Sequence, residues 1–85
     1  MFTRMTVKVK FFAILREKAG VGELVEDVVT GTTVGELWSL LQRTHPGLAV
    51  PGLRLLYAVN QSYVSGDHVL HEKDEVVFVP PVSGG

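Results

Sequence analysis

Apolar and polar side chains alternate in the first strand-like stretch of the chain, residues 6–12. Val7, Val9 and Phe11 fall on one side of an extended backbone, and Lys8 and Lys10 fall on the other. This alternation is typical of a strand that buries one face. Residues 1–4 come before the pattern begins, and because the ends of domains are often loose, we expect them to form an extension.

The strongest local signal is an amphipathic helix in the middle of the chain. Thr33 and Glu36 have the spacing of a capping box, in which each side chain binds the other residue's backbone N–H. One apolar stripe follows at helical spacing, made of Val34, Leu37, Trp38 and Leu41. Pro46 disfavours helical backbone at the residue before it, so the helix should end by about Thr44. We expect Trp38 to lie in the core, because an indole ring removes a large apolar area from water.

The remaining segments predict one short helix and four more strands. Good helix formers occupy residues 13–19, and Gly20 follows in the position of a C-cap. Strands are predicted at residues 23–29, 55–59, 63–64 and 75–79, the first of them at an edge of the sheet.

The order of these elements predicts an α+β fold of the β-grasp, ubiquitin-like type over residues 1–85. A right-handed crossover through the main helix brings the later strands into the same mixed sheet, with that helix packed on one face. The first and last strands should then be parallel neighbours at the centre. Eighty-five residues are enough for a single small domain.

The face of this sheet opposite the main helix should carry apolar side chains that another element or protein must bury. The predicted strands at residues 55–59 and 75–79 contain runs of consecutive apolar residues, hence apolar side chains on both faces, whereas the main helix covers only one face. Either the short helix covers part of the other face or a partner protein does, and we favour a partner. The candidate contact residues are Phe11 or Phe12, Leu55 or Tyr57, Phe78, Pro80 and Pro81.

Composition excludes several classes of function. The net charge is −1 with scattered basic residues, so we expect no nucleic-acid partner. No apolar run approaches the ~20 residues of a membrane span and no signal-peptide pattern opens the chain, so we expect a cytoplasmic protein without membrane association. There is no cysteine, and the three histidines lack metal-site spacing, so we expect no metal and no thiol chemistry.

The chain ends in an unusual tail, Pro80-Pro81-Val82-Ser83-Gly84-Gly85. Two prolines directly behind a strand should stop sheet pairing and extend the backbone outward. Gly84 and Gly85 have no side chains and can enter a channel that is too narrow for other residues. The reactive group at this tip is the carboxylate of Gly85. Because no catalytic set of side chains is recognisable elsewhere, we expect that, if the protein takes part in catalysis, it does so as a reactant or as one half of an active site, and not as an enzyme on its own.

The sequence resembles the small subunits of molybdopterin synthase from residue 6 to residue 85. The resemblance is carried, in order, by residues 9–17 (VKFFAILRE), 58–61 (AVNQ), 64–68 (VSGDH), 74–76 (DEV) and 80–85 (PPVSGG). It implies a β-grasp sulfur carrier that binds no cofactor itself. An adenylating enzyme related to the ubiquitin-activating enzymes would use ATP to activate Gly85, which then becomes a thiocarboxylate.

The resemblance also implies a large synthase subunit, in a heterotetramer of two small and two large subunits. The tail, with Gly84 and Gly85, would enter the active site of the large subunit and donate sulfur to cyclic pyranopterin monophosphate in molybdenum cofactor biosynthesis. Three alternatives stay open from the sequence. One is a sulfur carrier for thiazole formation, tRNA thiolation or cysteine synthesis. The second is a ubiquitin-like modifier joined to lysines through Gly85, and the third is an interaction domain whose tail does not react.

Overall fold

The computed structural model describes residues 3–80, which form one mixed five-stranded sheet, two α-helices and a short 3-10 turn. In chain order the elements are β1 (Arg4–Phe11), α1 (Ile14–Ala19), β2 (Glu23–Val29), α2 (Val34–Thr44), the 3-10 turn (Pro46–Leu48), β3 (Leu56–Val59), β4 (Ser62–Val64) and β5 (Glu75–Val79). The strand order is β2-β1-β5-β3-β4. β1 and β5 are parallel, and the other neighbours are antiparallel. The predicted β-grasp architecture is confirmed.

Most element boundaries agree with the sequence prediction, and the start of β1 does not. β1 begins at Arg4, which pairs with Val29 of β2, and Met5 is buried. The backbone N–H of Thr30 also donates to the carbonyl of Thr3 at 2.8 Å. The last residue of the predicted extension is therefore part of the sheet, because β2 is long enough to pair with it.

The N-terminus of α2 is held by its own capping box and by the loop before β5. The N–H of Glu36 donates to Oγ1 of Thr33 at 3.2 Å, and the N–H of Thr33 donates to Oε1 of Glu36 at 2.9 Å. The N–H groups of Val34 and Gly35 donate to the carbonyls of His68 and Gly66 at 2.9 and 2.8 Å. The first-turn donors that every helix leaves without intrahelical partners are thereby satisfied, and α2 is joined to the loop.

An aromatic cluster around Phe78 forms the centre of the core between α2 and the sheet. The ring of Phe78 lies 4.8 Å from Trp38 and 6.1 Å from Phe11, measured between centroids, and Tyr57 packs edge-on at 5.6 Å. Phe11 and Phe78 are fully buried. Their proposed role as partner contacts is therefore wrong, because both rings point beneath α2 and cannot reach a partner.

The short helix α1 does not cover the second face of the sheet. Leu15 of α1 is buried in the same core as the side chains beneath α2, and α1 packs against the 3-10 turn. A side chain at Gly47 of that turn would collide with the backbone carbonyl of Lys18. Within residues 3–80 no element packs on the face of the sheet opposite α2, so that face stays open, as the partner hypothesis requires.

The close approach of α1 to the 3-10 turn predicts a large cost for Gly47→Ala. The added methyl group would meet the fixed Lys18 carbonyl, so we expect a loss of about 1–3 kcal/mol in unfolding free energy, as for other overpacked sites. Urea unfolding followed by the fluorescence of Trp38, the single tryptophan, measures it. Gly22→Ala is the control, since its Cβ would meet the mobile Arg16 side chain. Equal stability of the two variants would contradict the packing described.

Candidate functional site

The end of β5 places the base of the tail at the centre of the sheet. Phe78 pairs with Phe11 of β1 on one side and with Tyr57 of β3 on the other. Pro80 follows β5 and is half-buried. The tail therefore leaves from a strand that is hydrogen-bonded along both edges, the best-anchored position that a sheet offers. Residues 81–85 lie outside the described part of the chain, so the roles of Pro81, Gly84 and Gly85 remain predictions.

The open face of the sheet has a charged half, formed by β1 and β2. Its side chains pair across the strands in three exposed or half-exposed ion pairs. The distances are 3.1 Å for Arg4–Asp27, 3.2 Å for Lys8–Glu23 and 3.5 Å for Lys10–Glu75, the last reaching across to β5. Exposed pairs of this kind contribute only about 0–1 kcal/mol each to stability. Their main effect is to leave this half of the face polar and locally neutral.

The other half of the open face is apolar and lies on β3, β4 and β5. The strand register places Leu56 beside Val79, and Ala58 between Val77 and Tyr63. Tyr63 is 73% exposed and Leu56 49% exposed. Side chains of this size rarely form an uncovered patch unless a partner binds there. We call Leu56, Ala58, Tyr63, Val77 and Val79 the apolar patch.

Phe12 and Arg16 lie near the end of the sheet from which the tail departs. Phe12 follows β1 directly and is 52% exposed. Of the two candidate contacts Phe11 and Phe12, it is therefore Phe12 that faces solvent. With Lys10, Gly22 and Glu23, Phe12 and Arg16 line a hollow of about 370 Å³. Arg16 forms no ion pair within residues 3–80. Phe12 could therefore contact an apolar group of a partner, and Arg16 could form an ion pair with an acidic group of the same partner.

Two other candidate contacts are placed differently from the prediction. Tyr57 lies on the same side of the sheet as Phe78 and packs against it beneath the cover of α2. Leu55 is half-buried against the core. Because Phe78 points inward, its neighbours Val77 and Val79 point outward, and β3 contributes Leu56 and Ala58 instead of Tyr57.

Sequence reasoning missed the apolar patch, although one signal for it existed. Asn60 and Gln61 form a two-residue turn in which both residues have positive φ, at 50° and 72°. Such a turn sets the register of the hairpin that it closes. Counting outward from it pairs Ala58 with Tyr63, and this places both side chains on one face.

Two of the motifs that carry the resemblance, at residues 58–61 and 74–76, meet in one hydrogen-bonded network. The buried carboxylate of Asp74 accepts from Nδ2 of Asn60 and from the N–H of His71, both at 2.8 Å. Oδ1 of Asn60 accepts from the N–H of Glu75 at 3.0 Å. The carbonyl of Asp74 accepts from the N–H of Lys8 at 2.9 Å. These residues tie the β3–β4 turn and the start of β5 to β1, so their role is structural.

Within residues 3–80, no group of three or more His, Asp or Glu side chains is arranged to hold a metal ion. No helix in that range is both long and apolar enough to cross a membrane.

Comparison with known proteins decides the family. The sequence model described as the ThiS family matches residues 9–85. The chain belongs to the ThiS family. The "Molybdopterin synthase sulfur carrier subunit" of Escherichia coli strain K12 is 42% identical to this ThiS-family chain over 81 residues, covering 93% of the chain and 99% of the relative. The resemblance to the small subunits of molybdopterin synthase is thereby confirmed.

Solved structures agree with the fold of the ThiS-family chain. The small archaeal modifier protein 1 of Haloferax volcanii superposes with a TM-score of 0.83 at 26% identity, covering 92% of this chain and 99% of that one. A chain from the complex of subunits 1 and 2 of the molybdopterin-converting factor of Helicobacter pylori superposes with a TM-score of 0.66 at 25% identity, covering 95% and 100%.

The Asp74 network predicts that Asp74→Ala destabilises the ThiS-family chain. The substitution removes the charged acceptor of two part-buried hydrogen bonds, from Nδ2 of Asn60 and from the N–H of His71, and a hydrogen bond to a charged group contributes about 1.5–3 kcal/mol. We expect a loss of that order in unfolding free energy, measured by urea denaturation. Glu17→Ala, which removes an exposed carboxylate from α1, is the control and should change stability little. Equal effects of the two substitutions would show that the Asp74 network does not contribute to the unfolding free energy.

Proposed function

We propose that this ThiS-family chain is the sulfur carrier subunit of a molybdopterin synthase and that the carbonyl carbon of Gly85 bears the transferred sulfur. The observation that carries the proposal is the match to the sulfur carrier subunit of E. coli over 93% of this chain. The anchoring of β5 between two strands supports it, because a rigid body is needed to present a reactive end to a partner. The sequence contains no recognisable catalytic motif, which also favours the terminal carboxylate as the reacting group.

Activation of Gly85 requires an adenylating enzyme and ATP. A carboxylate is ionised at neutral pH and is a poor electrophile. Attack of its oxygen on the α-phosphorus of ATP forms an acyl-adenylate and releases pyrophosphate. A sulfide-level sulfur nucleophile then attacks the carbonyl carbon, and AMP leaves with the electrons of the broken C–O bond. The product is a thiocarboxylate on Gly85, and the protein itself binds no cofactor during this sequence.

Donation of the sulfur takes place in the active site of a large subunit. The thiocarboxylate sulfur attacks an electrophilic carbon of cyclic pyranopterin monophosphate, and the C–O bond at that carbon breaks as its oxygen substituent leaves with the electron pair. The pterin is then joined to Gly85 through a thioester. Water then attacks the thioester carbonyl, the C–S bond to Gly85 breaks, and the carboxylate is restored. Gly84 and Gly85 suit this task because backbone without side chains can pass through a narrow channel.

The large subunit is proposed to dock on the open face of the sheet, over the apolar patch and Phe12. The patch borders β5, so a partner bound there also lies beside the tail. A chain from the complex of subunits 1 and 2 of the H. pylori factor has a fold that matches this chain. We propose the same pairing here, within a heterotetramer of two small and two large subunits, with Arg16 facing an acidic group of a partner.

A second candidate function is protein modification. The structural similarity to small archaeal modifier protein 1 favours it, since that protein superposes with a TM-score of 0.83. An acyl-adenylate of Gly85 that is attacked by a lysine amine instead of sulfur would yield an isopeptide bond and AMP. Isopeptide-linked adducts in cell extracts would identify this activity. A carrier for another sulfur pathway would form the thiocarboxylate but would not support molybdopterin synthesis.

Removing Gly85 should abolish sulfur transfer without unfolding the protein. The deletion leaves the residues of the sheet and core intact, so the thermal midpoint should be unchanged. We expect no molybdopterin from a reaction containing the truncated chain, an adenylating enzyme, ATP, a sulfur source, the large subunit and cyclic pyranopterin monophosphate. One extra residue after Gly85 should have the same effect, because the reacting carbon is then displaced.

Ser83→Ala is the matched control for the tail variants, since it changes a tail side chain but keeps the length and the terminal glycines. It should retain most of the activity. Molybdopterin synthesis by the truncated chain at the rate of the intact chain would refute the proposed role of Gly85.

The apolar patch predicts a strong effect of Tyr63→Glu on binding to the large subunit. A buried carboxylate in place of an aromatic contact should weaken binding and raise the dissociation constant at least about tenfold, as for other central interface residues. Calorimetric titration of the purified subunits measures it. Val25→Glu is the control, because Val25 is 65% exposed on the same face but lies in the charged half. An equal loss for both variants, or none for Tyr63→Glu, would place the large subunit elsewhere.

A further inference from the structure

The turn that joins β1 to α1 holds one residue in a backbone conformation that its side chain disfavours. Ala13 has φ 55° and ψ −130°, close to the values of the second residue of a type II′ turn. The N–H of Leu15 donates to the carbonyl of Phe12 at 3.1 Å, which is the hydrogen bond that closes such a turn. This position favours glycine, because a Cβ atom is crowded at positive φ. Ala13 therefore stores strain in the folded chain.

The surroundings of the turn prevent this strain from relaxing. Two residues, Phe12 and Ala13, connect the end of β1 to the start of α1. Phe11 before them and Leu15 after them are fully buried in the same core. The N–H of Phe11 also donates to the carbonyl of Gly22 at 3.0 Å, which fixes the end of β1 to the chain that enters β2. A shift of the turn that relieved Ala13 would pull Phe11 or Leu15 out of the core.

The strained turn determines where the ring of Phe12 lies. Phe11 is the register partner of Phe78, so Phe12, the next residue, leaves the sheet at the same end as Val79 of the apolar patch. Ala13 is itself exposed, so its methyl group adds little to the packing of the core. The residue thus costs stability without a compensating contact. Strain of this kind is typical of places where function fixes the backbone.

Alanine and glycine differ at this position in backbone freedom. Glycine would adopt the turn without strain, but it would also have access to many other conformations. Alanine has fewer allowed conformations, so Ala13 is held in one geometry once Phe11 and Leu15 are buried. A surface that already has its binding geometry loses less entropy when a partner binds. The strain at Ala13 can therefore be offset by tighter binding at Phe12.

We propose that Ala13 is a positioning residue for the binding of the large subunit. Its strained turn fixes the ring of Phe12 beside the base of the tail, so the ring is already oriented when the large subunit docks. This inference rests on the proposed function, because it takes the docking of a large subunit over Phe12 and the apolar patch as given. It adds a residue that acts through Phe12.

Two alanine-to-glycine substitutions test this proposal. Ala13→Gly should raise the urea midpoint, since the relieved strain outweighs the added freedom of the unfolded chain. It should also raise the dissociation constant for the large subunit about two- to fivefold, the effect of the extra backbone freedom of glycine. Ala49→Gly is the matched control, because Ala49 is exposed and has an ordinary φ of −83°. Its urea midpoint should fall and its dissociation constant should not change.

Two further variants show whether the effect passes through Phe12. Replacing Ala13 by D-alanine in a chemically synthesised chain favours positive φ and keeps the backbone restricted. This chain should be more stable than the unmodified chain and should bind the large subunit equally tightly. In a Phe12→Ala background, Ala13→Gly should no longer change the dissociation constant, because the residue through which it acts is gone.

Three results would overturn the proposal while the unmodified chain binds the large subunit. The first is equal binding by the unmodified and Ala13→Gly chains, which would limit the turn to a role in folding. The second is an effect of Ala13→Gly on binding that persists in the Phe12→Ala background. The third is a urea midpoint that falls as much for Ala13→Gly as for Ala49→Gly, which would show that Ala13 is not strained. Failure of the unmodified chain to bind at all would overturn the proposed docking itself, and this inference with it.

Discussion

The parallel pairing of β5 with β1 is the constraint on which the rest of the structure depends. β5 lies between β1 and β3 and bonds to both, and its central aromatic residue, Phe78, packs against Trp38 of α2. Because Phe78 is locked inward, Val77 and Val79 must point to the open face. The same pairing directs the chain out of the sheet at Pro80. One register thus sets both the base of the tail and the surface beside it.

The polar side chains of Asn60 and Asp74 help to fix this geometry. Asn60 and Asp74 carry the resemblance to known sulfur carriers, yet their side chains bond to each other and to nearby backbone. They fix the start of β5 at one end of the sheet, and the tail follows the other end of the same strand. This division suits a protein whose chemistry takes place at its terminus, because the body needs only to be rigid and correctly oriented for its partners.

Much of the fold could be predicted from the sequence because its strongest signals are local. The capping box at Thr33 and the stripe through Leu37 and Leu41 define α2, and both are confirmed. The predicted start of β1 was wrong because the first residue of this strand is fixed by pairing with β2. That pairing joins residues far apart in the sequence, so no local pattern shows it. The outward face of β3 and β5 could not be assigned for a related reason. Consecutive apolar residues have no alternation, so only the register with neighbouring strands decides which side chains are buried.

The candidate site also has parts that the sequence predicts and parts that only the structure reveals. The role proposed for the terminal glycines comes from the sequence, since it rests on their lack of side chains. The apolar patch, by contrast, is a product of strand order, and no single segment of the chain contains all of its residues. Phe12 illustrates the limit: its exposure follows from Phe11 being buried, which in turn requires the partner strand β5.

The intact mass of the chain after activation tests the central claim most directly. The purified protein is incubated with an adenylating enzyme, ATP and a sulfur source, and its mass is measured before and after. The account predicts an increase equal to the replacement of one oxygen by sulfur, located by fragmentation at Gly85 and absent when ATP is omitted. An unchanged mass, or sulfur at any other residue, would contradict it.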